Sequence, residues 1–200
     1  MRNIKLLTLC AIAILASVGV TWAQAPAATS GGDPVYIVNY FTNANTDGAP
    51  DGTMQLSNDG AFGHASICAA IYVLYPDEEM TECCDCKITP DGLNTFSINV
   101  NLTSNPLVGI PATAGMIKVV ATATTSGTCP TYPTSVTLAS GIMGWGTHVL
   151  GLSTGGYAIT ETPAQAATIS TTELASLEAG CSAIRGVGSH HGLCSCGSVD

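Results

Sequence analysis

Nine cysteines sit in 200 residues, and their spacing constrains the fold more than any other feature of the chain. Cys10 lies in an N-terminal apolar run. The other eight are Cys68, Cys83, Cys84, Cys86, Cys129, Cys181, Cys194 and Cys196. An even cysteine count in an exported chain reads as a disulfide framework, and eight cysteines allow 105 complete pairings. Bridges between adjacent cysteines, or across one residue, close small strained rings. If Cys83, Cys84 and Cys86 do not pair among themselves, they choose among the other five in 60 ways. Six of these leave Cys194 with Cys196, so 54 pairings remain. Only Cys68 and Cys129 lie outside both this cluster and the region from Cys181 onward. At least one clustered cysteine must therefore pair with Cys181, Cys194 or Cys196. The cluster, expected as a loop, is then stapled to the C-terminal helix or tail. Such a bridge closes about a hundred residues, worth up to roughly 4–5 kcal/mol in the chain-entropy picture.

The N-terminus carries the parts of a secretory signal peptide. Arg2 and Lys5 supply the positive region, Leu6 to Val20 the apolar core, and Thr21-Trp22-Ala23 the small residues of a cleavage site. Cleavage after Ala23 removes Cys10 and leaves the even set of eight. It also leaves three bases against fourteen acids, so the formal net charge of −9 becomes −11. That balance excludes a nucleic-acid binder, which needs a basic surface to neutralise phosphate. Beyond residue 23 no apolar run is long enough to span a membrane.

After a flexible lead-in over 24–34, the pattern predicts a mainly β domain over 35–165. Val35–Phe41 is dense in β-branched and aromatic residues. Ser66–Tyr75 is apolar on both alternating faces, which places it mid-sheet with something covering each side. Asn94–Thr103 alternates, with Phe96, Ile98, Val100 and Leu102 facing one way. Met116–Thr124, Val136–Met143 and Gly156–Thr160 are further strand candidates. Turn signals at Asn58-Asp59-Gly60 and Pro90-Asp91-Gly92 separate short strands, which suggests an antiparallel β-sandwich of the immunoglobulin-like or jelly-roll-like kind. A C-terminal α-helix follows within 166–200. Ser170 and Glu173 form a capping box, and Leu174, Leu177, Cys181 and Ile184 recur at helical spacing. Arg185 falls in the last turn and Gly186 just past it.

Little in the chain points to catalysis. It has no GxSxG elbow and no HExxH helix. His64 and His148 are isolated and read as structural. Asp77, Glu78, Glu79, Glu82 and Asp85 read as a solvated acidic loop. The segment Asn43-Ala44-Asn45-Thr46-Asp47-Gly48, with Asp51 beyond it, has the oxygen spacing of a calcium loop. It lacks the bidentate Glu, because Met54 stands there, and reads as a polar turn. The glycine-rich stretches Gly141–Gly146 and Gly151–Gly156 lack the lysine and strand–helix context of phosphate loops.

The block Ile67-Cys68-Ala69, Tyr72-Val73, Glu82-Cys83-Cys84-Asp85-Cys86, Thr89-Pro90-Asp91-Gly92-Leu93 and Leu102-Thr103-Ser104-Asn105, together with the tail Cys194-Ser195-Cys196-Gly197, resembles a family of exported cysteine-rich bacterial proteins without an assigned activity. The resemblance implies export and a shared cysteine framework. It carries no catalytic residue onto this chain.

The sequence therefore reads as a secreted, disulfide-stabilised, non-catalytic surface or binding module. No cofactor is expected, and its partner is an extracellular protein, a glycan or further copies of itself. Two alternatives stand beside this reading. One is a zinc or copper site built from His190, His191, Cys194 and Cys196, with the Cys83–Cys86 cluster as a source of further thiolates, whose soft ligands suit those ions. The other is a carbohydrate-binding module in which Trp145, Tyr132 and Tyr157 stack on sugars. Peptide mapping under non-reducing conditions is expected to recover a bridge from the Cys83–Cys86 cluster to the C-terminal region. A map without one overturns the framework.

Overall fold

The computed structural model describes residues 34–130 and 136–197. The expected signal peptide, most of the expected lead-in and Tyr132 lie outside them.

Among the described residues nine strands form two antiparallel sheets. In chain order they are β1 (Tyr36–Phe41), β2 (Thr53–Asn58), β3 (Ile67–Leu74), β4 (Met80–Ile88), β5 (Leu93–Ser97), β6 (Gly115–Ala123), β7 (Ile142–Gly151), β8 (Tyr157–Pro163) and β9 (Gln165–Ala166). One sheet runs β4-β3-β6-β1-β9 and the other β5-β2-β7-β8. Ile67, Ala69, Ile71 and Val73 of β3 share one core with Met54 and Leu56 of β2, Phe96 of β5 and Ile142 of β7, so the sheets pack face to face. The helix α1 (Thr171–Gly186) covers the other face of the first sheet. There Leu177, Cys181 and Ile184 pack on Tyr36, Ala70, Tyr72, Cys83 and Val120. Every residue of β3 is buried, as its two apolar faces require. The fold is the expected sandwich with one C-terminal helix. No helix among the described residues is long and apolar enough to cross a membrane.

The helix starts where its cap predicts. Ser170 Oγ accepts from Glu173 N at 3.0 Å. The Glu173 carboxylate reaches out instead to Lys118 Nζ on β6, at 2.6 Å, and ties α1 to the sheet. Gly186 is the last helical residue rather than the one beyond it, and Gly188 takes the left-handed turn at φ 71.

Three expectations need correction. The acidic cysteine cluster is not a loop but strand β4, paired with β3 from Ile67↔Ile88 to Leu74↔Met80. Its acids Glu82 and Asp85 concealed its β character, since acidic residues are depleted in strands. The predicted strand Asn94–Thr103 stops at Ser97 and turns into a π-helical segment, Ile98–Leu102, which turns Val100 out to solvent. Asparagine side chains drive that change by bonding backbone groups that a ladder would otherwise use. Asn101 Oδ1 accepts from Ser97 N at 2.8 Å, and Thr103 Oγ1 donates to Ile98 O at 2.7 Å. Finally, Val136–Met143 is not a strand. Leu138 makes an isolated bridge to Thr122, and β7 begins only at Ile142.

The glycines of β7 serve close packing between the sheets. A Cβ on Gly144 would lie 2.8 Å from Ile37 Cδ1, and one on Gly146 would overlap the Asn39 amide. Asn39 is buried and cannot move freely, because its Oδ1 accepts from Tyr40 N at 2.8 Å. Gly146→Ala is expected to cost about 1–3 kcal/mol through overpacking. Gly151→Ala, at a position where the new Cβ meets nothing within 4 Å, should be nearly neutral. Urea midpoints of the two variants check the contrast.

Candidate functional site

The chemistry-bearing residues converge on β4 and the tail that lies beside it. Successive residues of a strand point to opposite faces, so the adjacent Cys83 and Cys84 can serve different layers. Cys83 faces α1 and bonds Cys181, while Cys84 faces the inter-sheet core and bonds Cys194. Cys86, two residues on and on the same face as Cys84, bonds Cys196. Cys68 bonds Cys129. All three clustered cysteines thus reach the C-terminal region, where pairing arithmetic required at least one.

The tail runs parallel to β4, with Leu193 bridging Cys83. Cys83 N donates to Gly192 O at 2.8 Å and Cys194 N to Cys83 O at 3.2 Å. The other wall of the tail's groove is the segment from the π-helical turn to Leu107. Ser195 N donates to Asn101 O, and Asn101 Nδ2 donates to Ser195 Oγ, both at 2.9 Å. Asn105 is the hub. Its O accepts from Gly192 N, its Nδ2 donates to His190 O at 2.8 Å, and its Oδ1 lies 2.8 Å from His191 Nδ1. Nothing in the sequence pattern singled out Asn105. The available signals were its place in the Leu102-Thr103-Ser104-Asn105 motif and an Asn-Pro pair next to an asparagine-rich segment.

Of the five acids expected as a solvated loop, Asp77, Glu78 and Glu79 lie in the exposed turn before β4. Glu82 and Asp85 are buried in β4, at 0% and 5% exposure. Glu82 Oε1 accepts from Asn105 N at 2.8 Å, while its Oε2 has no partner among the described residues. Burial pushes the Glu82 carboxyl up to about 8, against the Asn105 bond, which lowers it. Asp85 lies on the helix side with neither oxygen bonded among the described residues, and burial pushes it up to about 7. Tyr72, beside Cys83 across the ladder, is buried with its hydroxyl unpaired. Burial holds it above the usual phenol range, with Glu178 and Asp85 adding to the effect. The fold favours the neutral form of these groups, since an isolated buried charge is costly.

The other sequence candidates are not drawn into this cluster. His190 and His191 are exposed, and the sulfurs of Cys194 and Cys196 are held in disulfides, so the four do not form a common donor set in the oxidised chain. His64 is exposed, 4.0 Å from Asp91. His148 is buried, stacks on Tyr40 with ring centroids 4.0 Å apart, and has Nε2 2.6 Å from Thr162 Oγ1. Burial lowers its pKa. The calcium-like segment is spent on structure. Asn43 Nδ2 bonds Val149 O, Asn45 Nδ2 bonds Thr103 Oγ1 and Ala112 O, and Asp51 accepts from Ser97 Oγ and Asn99 N. Trp145 and Tyr157 stand at opposite ends of the β7–β8 ladder, opposite Pro163 and Gly151. Six positions of strand separate them by roughly 20 Å, too far to stack on one sugar.

No protein-family model, no curated protein and no solved structure matches the chain.

The folded-state pKa of Glu82 lies above its ordinary value of 4.5, so the folded chain binds that proton more tightly than the unfolded one. Its contribution to stability is complete below about pH 4.5 and is lost as the pH rises through about 8. Asp85 acts in the same direction over 3.8 to about 7. Glu82→Gln mimics the protonated form. Its melting temperature should fall less between pH 5 and pH 8.5 than that of the wild type. Parallel pH profiles for the two proteins would remove Glu82 as the cause.

Proposed function

We propose that the chain is an exported, non-catalytic structural module that joins to copies of itself through the free edge of strand β8. Four disulfides stabilise the module. They suit an oxidising compartment, and the signal-like N-terminus and the resemblance to exported proteins support the same placement.

One observation carries the assembly reading: the β7–β8 hairpin outruns its sheet. β2 pairs with β7 only over Ile142–Gly146, whereas β8 pairs with β7 from Trp145 to Gly151. The outer part of the hairpin therefore stands clear of β2. Residues 150–160 carry no charge, and Leu150, Leu152 and Ile159 are exposed. Among the described residues no strand pairs with the outer edge of β8. Such an edge is a template for strand addition unless it is blunted. Only its far end is blunted, by Glu161 and Pro163.

The backbone orientation fits this role. Val149, opposite Ile159, spends its carbonyl on Thr42 Oγ1 and Asn43 Nδ2, both at 2.6 Å, rather than on β8. By the alternation of an antiparallel ladder, Ile159 and Glu161 then turn their own N–H and C=O groups outward. An antiparallel β8–β8 pair centred on Thr160 sets Glu161 of each copy opposite Ile159 of the other. No acid faces an acid despite the negative charge of the chain.

Sedimentation velocity over a concentration series tests the proposal. The wild type should form dimers or larger species. Ile159→Pro removes an outward donor while sparing the ladder to β7, so it should remain monomeric with an unchanged melting temperature. A strictly monomeric wild type, or an Ile159→Pro protein that assembles normally, overturns the proposal.

A further inference from the structure

Two Cys-x-Cys segments lie side by side in the same direction, Cys84–Cys86 on β4 and Cys194–Cys196 in the tail. Each rung of this ladder spans 110 residues, Cys84 to Cys194 and Cys86 to Cys196. Both rungs leave β4 on one face, and Cys84 Sγ lies 3.8 Å from Cys86 Sγ. The sulfurs of Cys84, Cys86 and Cys196 all lie within 4.8 Å of one another. In a tetrahedron of thiolates at the usual zinc–sulfur distance, neighbouring sulfurs are about 3.8 Å apart. The Cys84–Cys86 spacing already has one such edge length, and opening the rungs frees Cys194 and Cys196 to move out to it.

We propose that the reduced chain holds one tetrahedral, thiophilic divalent ion of the zinc class on Cys84, Cys86, Cys194 and Cys196. The backbone prepares the site without help from the disulfides. The bonds Cys83 N to Gly192 O, Cys194 N to Cys83 O, Gly192 N to Asn105 O and Ser195 N to Asn101 O keep the tail against β4 when the rungs open. The donor set is all sulfur. His191 Nδ1 is turned to Asn105 Oδ1, and neither histidine belongs to the group of sulfurs that lie together. Cys83 and Cys181 face the helix and stay out of the set.

The chemistry balances. Two equivalents of a dithiol reductant open the two rungs, each giving two electrons and two protons and becoming a disulfide. The four thiols then release four protons as the ion binds. Two equivalents of a disulfide oxidant reverse the process: each takes two electrons and, with two protons from water, becomes two thiols, while both rungs re-form and the ion is expelled. Ion and disulfides are thus alternative fasteners for one latch, with the same register in each state. This inference does not depend on self-association.

The test is titration of the reduced full-length chain with Co²⁺ alone, in the absence of oxygen, followed by absorption. One Co²⁺ per chain should give thiolate charge-transfer absorption and the intense visible bands of a tetrahedral all-sulfur set, and oxidation should bleach them. C86S/C196S should lose the signal, whereas C68S/C129S and H190A/H191A should keep it. The wild-type spectrum reports the donor set by itself, so the outcome does not hang on the folding of any variant. A reduced wild type without charge-transfer absorption overturns the site. So do bands that survive in C86S/C196S, or that vanish in H190A/H191A.

Discussion

Strand β4 is the element on which the rest of the structure depends. It is the outermost member of its sheet, the position where an unpaired strand is most exposed to unwanted partners. Its alternation is used twice over. One side sends Cys83 into α1, and the other sends Cys84 and Cys86 into the tail. Three covalent links thus fasten a helix and a parallel tail segment to a single edge strand. The tail also supplies hydrogen bonds at Cys83 that cover part of that edge. Without these links, α1 would hold the sheet through a narrow apolar stripe of Leu177, Cys181 and Ile184 and the Lys118–Glu173 ion pair.

The same strand carries the two buried acids, and their placement follows from the same alternation. Glu82 shares the core side with Cys84 and Cys86, and Asp85 shares the helix side with Cys83. Closing both layers over β4 withdraws both carboxyls from water. The Asn105 N–H gives Glu82 one partner and links it to the loop that also holds the tail. Acid chemistry and cysteine chemistry therefore report on one event, the closing of the tail over β4.

What was legible in the sequence depended on whether a residue's character and its location agree. β3 was legible because both its faces are apolar and both are buried. The α1 start was legible because Ser170 caps the helix by local geometry alone. The link from cluster to tail was legible by counting, once ring strain set aside bridges within the cluster. β4 was hidden because Glu82 and Asp85 look like surface residues, and only tertiary closure makes them interior. The end of β5 was hidden because asparagines compete locally with the ladder. Asn105 was invisible because its role lies in contacts more than eighty residues away. Of the candidate metal residues, the two tail cysteines are joined to Cys84 and Cys86 in disulfides, and His190 and His191 stay exposed beside Asn105.

The spans of the bridges set an order on folding. Cys83, Cys84 and Cys86 find their partners 98, 110 and 110 residues further along the chain. During synthesis or passage through a membrane, β4 emerges long before Cys181, Cys194 and Cys196. Through that interval three neighbouring thiols wait on one strand with no native partner, close enough to form wrong bridges with one another or with Cys68 and Cys129. Faithful assembly of this chain is therefore a matter of timing as much as of affinity: oxidation must be held back until the last segment arrives, or be corrected afterwards.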